Sequence, residues 1–214
     1  MVPARTRGHW WRVALGVLGV PAASFAAALM LAVRVDDRSM NPNLGPNSRV
    51  LTVPGSGGRA ERLDAVALRA PGQDTTTIRR VIGLPGDRVE ITSDPRDPYH
   101  PTAGEPFVLL VQPGGSGQWF RVDLPTGRGQ DRPASPCCSA DGRGQPTAAA
   151  PLVPPGKLFV IGDYSEVAED SRAYGWVDEA AVTGRVGWAV LPLLDNGPLP
   201  YDADLVAVDP PPGS

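Results

Sequence analysis

IRRVIGLPGD, residues 78–87, passes abruptly from an apolar, β-branched run to a cluster of turn formers. Thr75 to Ile82 (TTTIRRVI) predicts a strand, because β-branched side chains fit a pleated, half-buried surface. The five residues from Gly83 to Asp87 then predict a tight, preset turn in which the Asp carboxylate bonds nearby backbone. RVEIT at 88–92 follows as the expected partner strand.

Working outward, Val50 to Val53 reads as a short strand after a turn-rich approach, and RLDAVALRAP, from Arg62, reads as a half-buried one. KLFVIGD at 157–163 and VTGRVGWAVLPL at 182–193 predict two more. Residues 36–92 and 155–193 are therefore expected to form one β core. Between them, 93–154 turns to Pro, Gly, Ser, Asp and Arg, interrupted by FVLLV at 107–111 and QWFRVDL at 118–124. A long structureless loop is uncommon, so these two patches predict a hairpin within an inserted β subdomain. Residues 194–214 read as a Pro-rich tail.

The chain opens differently. Val13 to Val33 carries no charged residue, and at about 1.5 Å per helical residue it would span about 31 Å, the depth of a hydrocarbon core. Arg5, Arg7 and Arg12 precede it, and Trp10 and Trp11 sit where an interfacial belt would. The expected arrangement is a cytoplasmic N-terminus at 1–12, a single-pass anchor at 13–33 in the cell membrane, and an extracytoplasmic remainder. The apolar run exceeds the length of a secretory h-region, which favours an uncleaved anchor over a removed leader.

Composition narrows the function. Net charge is −3 over 214 residues, and the scattered arginines accompany a single lysine, Lys157, so no basic stripe points to nucleic acid. The two cysteines, Cys137 and Cys138, are adjacent and can close a ring disulfide outside the cell or stay reduced. With His9 and His100 far off in sequence, they make no metal site, and no cofactor is expected.

Three stretches in order resemble the type I signal peptidases, membrane-anchored serine proteases that remove leader peptides from exported preproteins. Ser39-Met40-Asn41-Pro42 resembles the family's Ser-Met-x-Pro. RRVIGLPGD is similar to its Lys-Arg-x-x-Gly-Leu-Pro-Gly-Asp, and Gly162-Asp163 followed by Asp170-Ser171-Arg172 matches its third motif. The resemblance implies a mainly β, two-lobed signal-peptidase-like fold with one transmembrane helix, an exposed apolar surface beside the lipid bilayer, and a Ser/Lys dyad acting on preprotein signal peptides. It implies Ser39 as nucleophile, Met40 and Pro42 as support for its loop or the substrate pocket, and Asp170 with Arg172 as an ion pair pinning the third stretch.

Three positions depart from the pattern. Arg79 stands in place of the Lys general base, and a guanidinium keeps its proton in a protein. Ala168 stands where many members carry a Ser that orients the Lys. Asp37 stands where Ser or Gly commonly occurs, and a carboxylate there would repel a developing oxyanion. Lys157 is the alternative base to weigh, against the ordinary reading of a solvated lysine after a turn. General-base work by Asp37 would call for a raised pKa. The function expected is a signal peptidase I-like serine endopeptidase; the alternative is an impaired or inactive relative that binds leader peptides or a protease partner through an apolar groove.

Overall fold

The computed structural model describes residues 31–54, 60–92, 108–124, 139–143, 150–164, 168–191 and 203–211. Of the expected anchor only the last three residues fall within them, while His100, Cys137 and Cys138 lie outside. Among the described residues no helix is long and apolar enough to cross a membrane.

The strands are β1 (Val33–Arg34), β2 (Arg49–Pro54), β3 (Ala65–Arg69), β4 (Thr76–Gly83), β5 (Arg88–Thr92), β6 (Val108–Gln112), β7 (Trp119–Asp123), β8 (Lys157–Ile161), β9 (Val177–Asp178), β10 (Val182–Leu191) and β11 (Asp204–Val208), with one short helix, α1 (Ser171–Tyr174). They form a seven-stranded sheet ordered β1-β2-β10-β3-β4-β8-β9 and a four-stranded sheet ordered β11-β7-β6-β5, with every pairing antiparallel. The chain is mainly β, as its alternating and β-branched runs predict.

The opening decapeptide carries the chain from one sheet to the other. β4 is buried along its last six residues, so its apolar residues are needed on both faces. β5 does not pair with β4, contrary to expectation; it pairs with β6, Val89 opposite Val111. The reason is edge availability: β3 occupies one side of β4 and β8 the other. The turn between them is held as predicted, with the Leu84 N–H donating to Asp87 Oδ2 at 2.7 Å and Gly86 in the left-handed region at φ 90°. Asp87 also accepts from the Gly114 N–H at 2.9 Å, which ties the turn to the β6–β7 connection.

The expected hairpin from 107–111 and 118–124 forms as β6 and β7, joined through Pro113–Gly115. It is not an isolated appendage. Leu109, Val111 and Val122 are buried in one cluster with Ile82, Phe159 and Ile161 of the larger sheet. The tail beyond 194 is not merely Pro-rich either: β11 adds itself to the open edge of β7, where Leu205, Val206 and Val208 supply strand-forming residues.

A second cluster gathers Val35, Met40, Leu44, Val50, Ala65, Ile78, Val186 and Ala189. Met40 and Leu44, both 1% exposed, anchor the loop that carries Ser39.

Candidate active site

Ser39 is buried in a turn that the sequence fixes from both sides. Met40, next along, is driven into the core, and its carbonyl accepts from the Leu44 N–H at 2.8 Å. The Ser39 carbonyl accepts from the Tyr164 N–H at 2.8 Å, so the loop is stitched to the chain leaving β8. Gly162 permits this approach: a Cβ there would lie 2.7 Å from the Ser39 carbonyl oxygen and 2.4 Å from the Ala168 methyl.

The Ser39 hydroxyl is held between two opposite charges. It donates to Asp37 Oδ1 at 2.7 Å and accepts from Arg79 Nη1 at 2.6 Å. The Ser39 N–H also donates to Asp37 Oδ1, at 3.1 Å. Asp37 Oδ2 lies 3.7 Å from Arg79 Nη2; the carboxylate side chain is 51% exposed while the guanidinium is 3% exposed.

Arg79 is aimed by backbone. Its Nε and Nη2 donate to the Glu169 carbonyl at 2.9 and 2.8 Å, and Nη1 donates to the Ile78 carbonyl at 2.6 Å. Burial pushes the pKa of the neighbouring Tyr174 phenol well above its ordinary value, against the opposing pull of the Arg79 charge. The phenol is thus neutral and brings no second negative charge to Arg79.

The Glu169 carbonyl is positioned by the segment that follows. Asp170 caps α1, accepting from the Arg172 N–H at 3.1 Å and from the Gly162 N–H at 3.1 Å. Arg172 returns two side-chain bonds to the same carboxylate, both at 2.8 Å, so the expected ion pair is bidentate. Ser171 accepts from the Val160 N–H at 2.9 Å, fastening the helix to β8.

Beneath this layer Arg80 donates to Asp163 through Nε and Nη2, and Asn43 Nδ2 reaches Asp163 Oδ2 at 3.0 Å. One carboxylate therefore links β4, the loop after β8 and the Ser39 turn.

The sequence-predicted residues divide clearly. Ser39 and Arg79 are in contact, Met40 lies in the core beneath them, Pro42 is exposed on the same turn, and Asp170 with Arg172 supports Arg79 through Glu169. Lys157 is not part of the cluster: its ammonium bonds Asp178 Oδ1 at 2.6 Å, at the opposite end of β8 from Gly162. Asp37, the position expected to oppose a developing oxyanion, accepts a hydrogen bond from the resting Ser39 hydroxyl. Its spacing two residues ahead of Ser39 is the signal, since an Asp side chain bonds backbone two residues on. Arg80 and Asp163 stand within the quoted motifs, but their pairing with each other and the Glu169 carbonyl's hold on Arg79 had no local signal.

A groove of about 380 Å³ is lined by Asp37 and Arg79 together with Arg34, Gln73, Thr75 and Thr77. Val35 and Ile78 line the same groove, so its wall mixes apolar side chains with the two charged residues and the threonines.

The chain is similar to known proteins. The family model for signal peptidase, peptidase S26, matches residues 8–96 and 121–191, so its second block begins inside the segment read as an insert. Signal peptidase IB of Staphylococcus aureus strain COL is 28% identical over 189 residues, covering 85% of this chain and 88% of its own length. The mitochondrial ATP-independent inner membrane protease subunit 1b of Arabidopsis thaliana is 27% identical over 165 residues, covering 75% of this chain and 70% of its own. Among solved structures, a signal peptidase I from Enterococcus faecalis V583 matches with a TM-score of 0.40 and 23% identity, over 59% of this chain and 95% of that one.

Proposed function

Because the chain belongs to the signal peptidase family, peptidase S26, we propose that it removes leader peptides from exported preproteins with Ser39 as the nucleophile. It is a signal peptidase I-like serine endopeptidase. The observation that carries the assignment to Ser39 is the pair of bonds on its hydroxyl, a carboxylate accepting its proton and a guanidinium donating to its oxygen. That environment suits a hydroxyl about to become an alkoxide.

Arg79 takes no proton in this scheme. A fixed positive charge 2.6 Å from the Ser39 oxygen stabilises the alkoxide and the negative charge that develops on attack. Ser39 forms an acyl-enzyme with the leader's carbonyl carbon, the mature N-terminus leaves as an amine, and water hydrolyses the ester.

The site is reached from the bilayer. The apolar run 13–33 anchors the chain, its N-terminus cytoplasmic, and places Ser39 six residues beyond its end. Val53 and Trp188 support this placement: they are about half exposed on β2, which pairs with β1 at the end of the apolar run, and on β10, the next strand across.

The test uses the full chain in detergent with a secretory precursor. Cleavage that Ser39→Ala abolishes supports the assignment. Silence from the native chain, with cleavage appearing in Arg79→Lys, would overturn it in favour of a relative that binds leaders without cutting them.

A further inference from the structure

We propose that Asp37 is the general base of this enzyme, taking over the proton transfer that Arg79 cannot perform. The inference rests on the reading of Ser39 as nucleophile. Asp37 Oδ1 lies 2.7 Å from the Ser39 oxygen, within the reach that proton abstraction requires. Among the described residues it is the carboxylate bonded to that hydroxyl, while Lys157 is engaged with Asp178 elsewhere.

A carboxylate is a weak base for a serine hydroxyl, and the difference in acidity must be narrowed from one side or the other. Here it is narrowed at the serine. Arg79 donates to the same oxygen, and a neighbouring positive charge favours the ionised form of an acid. The guanidinium is held by the Glu169 and Ile78 carbonyls and does not depend on Asp37 for its place. The half-exposed carboxylate is oriented by the Ser39 N–H and lines the groove together with Gln73 and Thr75.

The proton balance closes with these groups alone. As the Ser39 oxygen bonds the scissile carbonyl carbon, its proton passes to Asp37. Asp37 then protonates the amide nitrogen as the C–N bond breaks, releasing the amine and leaving an ester on Ser39. Water attacks the ester and gives its proton to Asp37; as the C–O bond to Ser39 breaks, that proton returns to the serine oxygen and the acid product departs. The Ser39 N–H, bonded to Asp37 Oδ1 before reaction, becomes available to the oxyanion as that oxygen gains its proton.

Asp37→Asn is the decisive variant, because an amide oxygen keeps both acceptor positions but cannot take a proton at neutral pH. The full chain in detergent is tested with a secretory precursor and, separately, with a fluorophosphonate probe that reports serine nucleophilicity without leader recognition. Asp37→Asn is expected to lower kcat and the labelling rate by about 100-fold or more, with KM little changed. Asp37→Glu is expected to restore part of both. If Ser39→Ala abolishes cleavage and labelling while Asp37→Asn stays within a few-fold of the native chain, another base acts and the proposal fails with the nucleophile intact. If the native chain neither cleaves nor labels, or Ser39→Ala retains activity, the nucleophile assignment falls and this proposal with it.

Discussion

Arg80 and Asp163 meet as a buried, bidentate pair, Nε to Oδ1 and Nη2 to Oδ2, both at 2.6 Å. Neither side chain is more than 2% exposed. Asp163 also accepts from Asn43, four residues past Ser39, so the pair fixes the nucleophile's turn against β4. Arg80→Ala would leave a carboxylate buried and uncompensated. The expected loss is about 3–5 kcal/mol, read as a lower denaturant midpoint at unchanged slope. Arg80→Lys keeps the charge but not the planar fork, and an intermediate midpoint is expected.

Gly162→Ala tests the approach of the Ser39 loop to the chain after β8. The new methyl would lie 2.7 Å from a backbone oxygen and 2.4 Å from a second methyl, and neither belongs to a flexible side-chain end. Relief of that crowding moves Ser39 away from Asp37 and Arg79. We expect a cost of about 1–3 kcal/mol, a melting point lower by about 3 to 10 °C, and a larger proportional fall in fluorophosphonate labelling. A variant that melts normally and labels normally would show that the contact is unimportant.

Much of this was legible in the sequence, and the illegible part has a common physical cause. β4, β6, β7, β8 and β10 fall where period-two and β-branched runs place them, and the Asp87 turn is built from its own residues. The partner of β5 was not legible, because it depends on which edges of β4 are already occupied. β11 was hidden within Pro-rich flanks, since the edge it fills belongs to β7, 81 residues earlier by the pairing of Asp204 with Asp123. At the site, Ser39 and Arg79 stand out as side chains in a pattern. The Glu169 carbonyl that aims Arg79 is a backbone atom, which no residue pattern marks, and Arg80 finds Asp163 across 83 residues. Asp37 was visible, but its bond from the Ser39 hydroxyl depends on how the loop turns the two side chains towards each other.

Lys157→Ala separates a catalytic lysine from a surface one. The ammonium pairs with Asp178 at 2.6 Å, with side-chain exposures of 35% and 64%. Such a pair contributes about 0–1 kcal/mol. The expected result is a small shift in midpoint and an unchanged rate of precursor cleavage. Loss of cleavage in a variant that melts normally would place a base at Lys157 and contradict the geometry.

Glu90, on β5, gives a prediction in pH. Burial pushes its pKa above the ordinary carboxylate value. Between the unfolded and the folded pKa the native state therefore holds more proton than the unfolded chain, and stability falls as pH rises through that window. The contribution is favourable below the unfolded value, near the ordinary 4.5, and is lost once pH exceeds the raised one. Glu90→Gln removes the titration while keeping a similar shape. Its stability relative to the native chain should be greater at neutral pH than at pH 4, with the difference appearing as pH climbs out of the acid range. Urea midpoints of both proteins at several pH values measure this directly, and a difference that is constant across the series would show that Glu90 ionises as freely in the folded chain as in the unfolded one.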